Sequence, residues 1–79
     1  FYPARSRRRG EEGKVLLTLR IGRDGTLQET ELNTSSGHRR LDRAALRTIE
    51  RLGKAPPLPK EWPDETLEVE IPIRFQLRD

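Results

Sequence analysis

The sequence predicts a small α+β domain, a three-stranded antiparallel sheet in the order 2-1-3 with two helices on one face. Three stretches predict it. Over residues 66–77, Leu67, Val69, Ile71, Ile73, Phe75 and Leu77 recur at every second position, with Glu68, Glu70, Arg74 and Gln76 between them, which is the period of a half-buried strand. Val15, Leu17, Leu19 and Ile21 alternate in the same way ahead of Asp24-Gly25, a pair that accepts the positive φ of a tight hairpin turn. Between these two stretches Leu41, Ala44, Ala45, Ile49 and Leu52 share one face of a helical period, with Leu46 at its margin and Arg39, Arg43, Arg47 and Arg51 on the opposite face.

In chain order, Pro3 suits the first turn of a short helix over residues 3–9, because its missing N–H costs nothing there, and Gly10 ends the helix. So short a helix is marginal alone and needs Tyr2 and Ala4 to rest on the main body. The first strand, residues 14–22, is the central one. The second, residues 26–34, is weaker: Leu27 and Leu32 have opposite parity, so either a bulge lies between them or one leucine is exposed. Ser35-Ser36-Gly37 makes a turn whose hydroxyls take backbone hydrogen bonds ahead of the helix over residues 39–52. Asp42 falls near the positive end of that helix and Gly53 stops it. Pro56, Pro57, Pro59 and Pro63 then force an extended connection in which Trp62 is the large anchor, packed on the body. If the long helix crosses the sheet to deliver the last strand, residues 66–77, beside the first, all neighbours are antiparallel. The expected core is Val15, Leu17, Leu19, Ile21, Leu41, Ala45, Ile49, Leu52, Val69, Ile71, Ile73 and Phe75.

A chain of 79 residues makes a single domain, residues 1–79, with a thin core; folding at this size buries only about 60–65% of the unfolded chain's surface. Apolar residues are 32% and charged residues 37%, a polar balance, yet the apolar residues are periodic, which argues against disorder. With no cysteine and one histidine, disulfide frameworks and Cys/His metal centres are excluded, and no cofactor is expected. No apolar run approaches the roughly 20 residues of a membrane span. The net charge of +3 gathers its basic part in residues 5–9 and 38–51. Such clusters can contact nucleic acid or anionic membranes, but Glu11, Glu12, Glu29, Glu31 and Glu50 interrupt the field, and solvated faces explain them better.

Ser35, Ser36, His38 and Asp42 invite a hydrolytic relay, but His38 and Asp42 lie at the start of one helix, where capping explains them. The acidic pairs Glu11-Glu12 and Asp64-Glu65 sit in loop sequence, and there is no phosphate-cradling glycine loop. No catalytic residue is assigned, and the chain reads as a binding module, not an enzyme. Its candidate surface is the last strand. Pro72 has no amide proton for a neighbouring strand and stands on the wet parity, so this strand lies at a sheet edge, and a long open edge in a small domain is a place for a partner strand to add. The edge positions are Glu68, Glu70, Pro72, Arg74 and Gln76.

A series of positions runs in order through Tyr2-Pro3 with Ala4-Arg5, Gly10, Glu12-Gly13, Val15, Asp24-Gly25, Ser35-Ser36-Gly37, Leu41-Asp42 with Ala44-Ala45, Pro57 with Pro59, and Ile71-Pro72-Ile73-Arg74-Phe75. With this series, across nearly its whole length, the chain resembles the C-terminal domain of TonB-type energy transducers. The resemblance implies a periplasmic domain of a longer, inner-membrane-anchored protein of a Gram-negative bacterium. Such a protein is driven by an ExbB–ExbD-type proton-powered motor through its N-terminal part. It opens outer-membrane transporters for siderophores, haem or vitamins by grasping their TonB box, with Tyr2, Pro3 and Arg5 touching the transporter plug. Leu52-Gly53-Lys54-Ala55 stands where many members carry an aromatic pair, which leaves a general transducer, a paralogue dedicated to one transporter and a TolA-like envelope domain of similar fold all open. Outside this resemblance, a small nucleic-acid-binding domain is the alternative, although the stacking aromatics it needs are scarce, and a purely structural or dimerising domain is a third. The isolated chain is expected as a monomer or a strand-swapped homodimer.

Overall fold

Alternation and helical phase translate directly into elements. In a computed structural model, which describes residues 2–77, the chain runs α1 (Ala4–Arg8), β1 (Gly13–Gly22), β2 (Leu27–Thr34), α2 (Arg39–Leu52) and β3 (Thr66–Phe75). The sheet order is β2-β1-β3 with antiparallel neighbours, the topology the sequence predicts. Val15, Leu17, Leu19 and Ile21 of β1 are buried together with Leu41, Ala44, Ala45 and Ile49 of α2 and Phe75 of β3.

Expectation and structure part company at the margins of this core. Leu52 is 67% exposed, in the last turn of an α2 that lies against β1 and β2 and buries Leu41, Ala45 and Ile49 of the same stripe. Val69, Ile71 and Ile73 are only partly buried; they have the predicted parity, but no long helix covers β3. In β2, Gln28 is an extra residue between Leu27, opposite Ile21, and Glu29, opposite Arg20, so a bulge does restore both leucines to the core face. Leu32 opposes Leu17 and is nevertheless 42% exposed, as befits the end of an edge strand. α1 docks through Ser6, which is fully buried, while Ala4 is exposed; the small side chain on the inner face lets a one-turn helix approach closely.

β3 stops at Phe75, two residues before the alternation ends. A strand extends only as far as its partner, and Phe75 opposes Gly13, the first residue of β1. The Leu77 amide donates instead to Glu12 Oε2 at 2.6 Å.

The connection between α2 and β3 is pinned to the β1–β2 turn. Gly25, at φ 89°, accepts the Ala55 amide at 2.7 Å, and a Cβ there would lie 1.9 Å from the Ala55 carbonyl oxygen, so both the backbone conformation and the approach require glycine. The Arg23 guanidinium then donates to the carbonyls of Trp62 and Asp64 at 2.8 and 2.6 Å and more distantly to those of Pro59 and Lys60. Trp62 is half-buried, its indole N–H donating to the Thr66 carbonyl at 3.0 Å.

Candidate functional site

The Gly22 amide donates to the Thr26 carbonyl, so the even-numbered backbone groups of β1 face β2. The β1–β3 register runs without a shift from Gly13↔Phe75 to Gly22↔Thr66 and sets Leu16 opposite Pro72. Even residues of β3 therefore sit in the non-bonded pairs, with their N and C=O turned away from β1. That is the only phase in which Pro72 leaves the inner ladder whole. Glu68, Glu70, Pro72 and Arg74 consequently form an open edge, all with exposed side chains. Gln76 lies just past the end of β3, also exposed.

Tyr2 and Pro3 are half-buried and Arg5 is exposed. The Tyr2 ring meets Phe75 edge-on, at 5.3 Å between centroids and 80° between planes, and the Tyr2 hydroxyl donates to the Glu11 carbonyl. The Arg7 guanidinium lies 6.0 Å from the same ring. Burial, aided by the charge of Glu12, holds the phenol above its ordinary value of 10.0. These contacts join the N-terminal segment to the C-terminal end of β3, so the two sets of site residues read from the sequence meet through Tyr2 and Phe75.

The serine–histidine–acid quartet assembles differently from a hydrolytic relay. Asp42 is buried and accepts from Ser35 Oγ at 2.5 Å, Ser36 Oγ at 2.7 Å and the Ser36 amide at 2.9 Å. Burial raises its carboxyl pKa, but the hydrogen bonds from Ser35 and Ser36 outweigh it and leave the group below 3.8. His38 turns its ring to Glu11, Nδ1 lying 3.6 Å from Glu11 Oε2, and both serine hydroxyls donate to Asp42 and not to the imidazole.

One arrangement escaped the sequence reading. Arg5 and Arg8 of α1 and Arg40, Arg43 and Arg47 of α2 line a cleft of ≈ 440 Å³ between the two helices, with Pro3, Ala4 and Ala44. The helical repeat i, i+3, i+7 of the α2 arginines was visible in the sequence, but which stripe of that helix would face α1 was not.

The model of the Gram-negative bacterial TonB protein C-terminal family matches residues 1–77. The chain belongs to the TonB C-terminal family. This TonB C-terminal domain is 36% identical over 76 residues to Protein tonB2 of Pseudomonas aeruginosa and 32% identical over 76 residues to Protein TonB of Pasteurella multocida, in each case over 96% of the present chain and 28% of the relative. To Protein TonB of Helicobacter pylori it is 36% identical over 78 residues, 99% of the present chain and 26% of that protein. It thus spans little more than a quarter of the length of these relatives. The NMR solution structure of the Helicobacter pylori TonB C-terminal domain superposes on the whole chain and on 70% of its own with a TM-score of 0.83 at 32% identity.

Proposed function

We propose that this domain is the periplasmic partner-binding module of an energy transducer anchored in the inner membrane of a Gram-negative bacterium, and that it takes the TonB box of an outer-membrane transporter as an added strand on the outer edge of β3. The observation that carries the reading is the asymmetry of β3: one side is paired to β1 over ten positions, and the other is an open edge interrupted only at Pro72. Glu68, Glu70, Arg74 and Gln76 then tune selectivity while the backbone supplies affinity, and Pro72 offers only its carbonyl. Tyr2, Pro3 and Arg5 form a second contact with the transporter plug. The module performs no chemistry of its own. It relays energy derived from the proton-motive force through an ExbB–ExbD-type motor, which engages parts of the longer protein outside this chain, for uptake of siderophores, haem or vitamins.

The test is titration of isotope-labelled domain with TonB-box peptides. Amide shifts should concentrate at residues 66–76, and Arg74→Pro should abolish binding while circular dichroism still reports a folded domain. Ile73→Pro, which removes an inner ladder bond, should instead damage folding. Normal folding of the Ile73 variant together with unfolding of the Arg74 variant would place the open edge on the other parity and refute the register.

A further inference from the structure

We infer that the arginine cleft between α1 and α2 binds an extended acidic peptide segment of a partner protein. Two separate elements bring five arginines to one concavity, and among the described residues Arg5, Arg8, Arg43 and Arg47 have no ion pair or side-chain hydrogen bond; Arg40 lies 3.8 Å from Glu11 at the margin. Setting like charges face to face across a cleft between two helices opposes folding, and such a local conflict is expected where a ligand resolves it. Among the described residues Glu11 alone pairs with one of these arginines, Arg40. Glu31, Thr18 and Glu70 stand opposite one another across the sheet, as do Glu29, Arg20 and Glu68, so these carboxylates lie on the face turned away from the helices.

Guanidinium forks suit carboxylate and phosphate alike, so the surroundings must choose between them. Nucleic acid would want stacking rings, and none of the lining residues is aromatic. An anionic bilayer would want a convex face with apolar side chains to insert, whereas the apolar lining here is Pro3, Ala4 and Ala44 within a concavity. Spacing fits a peptide. Arg40 to Arg47 spans about 10 Å along α2, and carboxylates on alternate residues of an extended chain stand about 7 Å apart. Two or three acids at every second position therefore match the rail of arginines, with Arg5 and Arg8 closing the other wall. This deepens the second contact assigned above to Arg5 and rests on that reading only for which protein supplies the segment.

The experiment is fluorescence anisotropy with a labelled Glu-Thr-Glu-Thr-Glu peptide, competed with its Gln-for-Glu analogue, inorganic phosphate, phosphatidylglycerol vesicles and a single-stranded oligonucleotide. Arg43→Gln with Arg47→Gln should weaken binding about tenfold or more, and Arg5→Gln with Arg8→Gln, on the opposite wall, should do the same if the first pair perturbs folding. Arg9→Gln with Arg39→Gln removes equal charge outside the cleft and should cost less than about threefold. Equal losses in all three double variants would reduce the effect to net charge and overturn the inference. Stronger competition by phosphate, vesicles or oligonucleotide than by unlabelled acidic peptide would overturn the choice of ligand. Failure of the unaltered domain to bind the acidic peptide while it still binds TonB-box peptides removes this inference alone, and the converse removes only the strand-addition reading.

Discussion

Asp42 shows how much a single buried carboxylate can hold at the start of a helix. Its folded-state pKa is lowered, so its stabilisation is complete above the unfolded value, at pH 5 and higher, and is lost as pH falls through the folded value below 3.8. Urea unfolding should therefore show a domain that weakens between pH 5 and pH 2. Asp42→Asn should lose about 1–3 kcal/mol at pH 7 and lie much closer to the wild type at pH 2; an unchanged gap would mean that the hydrogen bonds from Ser35 and Ser36 do not select the ionised form. At this scale the sequence is only partly legible. The sequence reads Asp42, His38 and the serines as capping residues, but the N-cap, His38, makes no side-chain cap hydrogen bond; the hydrogen bonds of the serines to Asp42, and the turning of His38 to Glu11, depend on how the loop closes.

Among the elements, β1 and β3 have the same alternation and different burial. Leu17 is fully buried beneath α2, whereas Ile71, its opposite number on β3, is only partly covered. Leu17→Ala should cost about 2–5 kcal/mol and Ile71→Ala about half of that, since less surface is returned to water. Equal costs in chemical denaturation would mean that β3 is covered as fully as β1. This pair marks where sequence reading works and where it stops. Period two fixes which residues share a face, and Pro72 fixes which strand is at an edge. Coverage depends on where α2 lies across the sheet, and no local pattern encodes that, which is why Leu52, in phase with the helix core, ends up in solvent. The candidate edge was legible because it follows from parity, and the arginine cleft was not because it needs the relative rotation of two helices.

On the scale of the whole molecule, the proline-rich connection ties β3 to the rest of the domain through Arg23. Arg23 clasps that connection from residues 36 to 41 positions away in sequence, a contact that no local signal announces. Removing it frees a hinge next to an edge strand, the circumstance in which identical elements exchange between protomers. We expect Arg23→Ala to raise the dimer fraction in sedimentation velocity over a concentration series, relative to the wild type under the same conditions. An unchanged distribution would show that the clasp does not govern exchange.

The register of β1 against β3 also has a mechanical meaning. Gly13 stands opposite Phe75, so the N-terminal side of β1 and the C-terminal end of β3 lie at the same end of the sheet. Tension between them would unzip the ladder pair by pair. A strand added antiparallel to β3 would run parallel to β1, and tension between the N-terminal side of β1 and the C-terminal end of that strand would pull along the ladders in opposite senses. All the bonds would then share the load in shear, and the grip would resist far more than if the same partner were drawn from its other end.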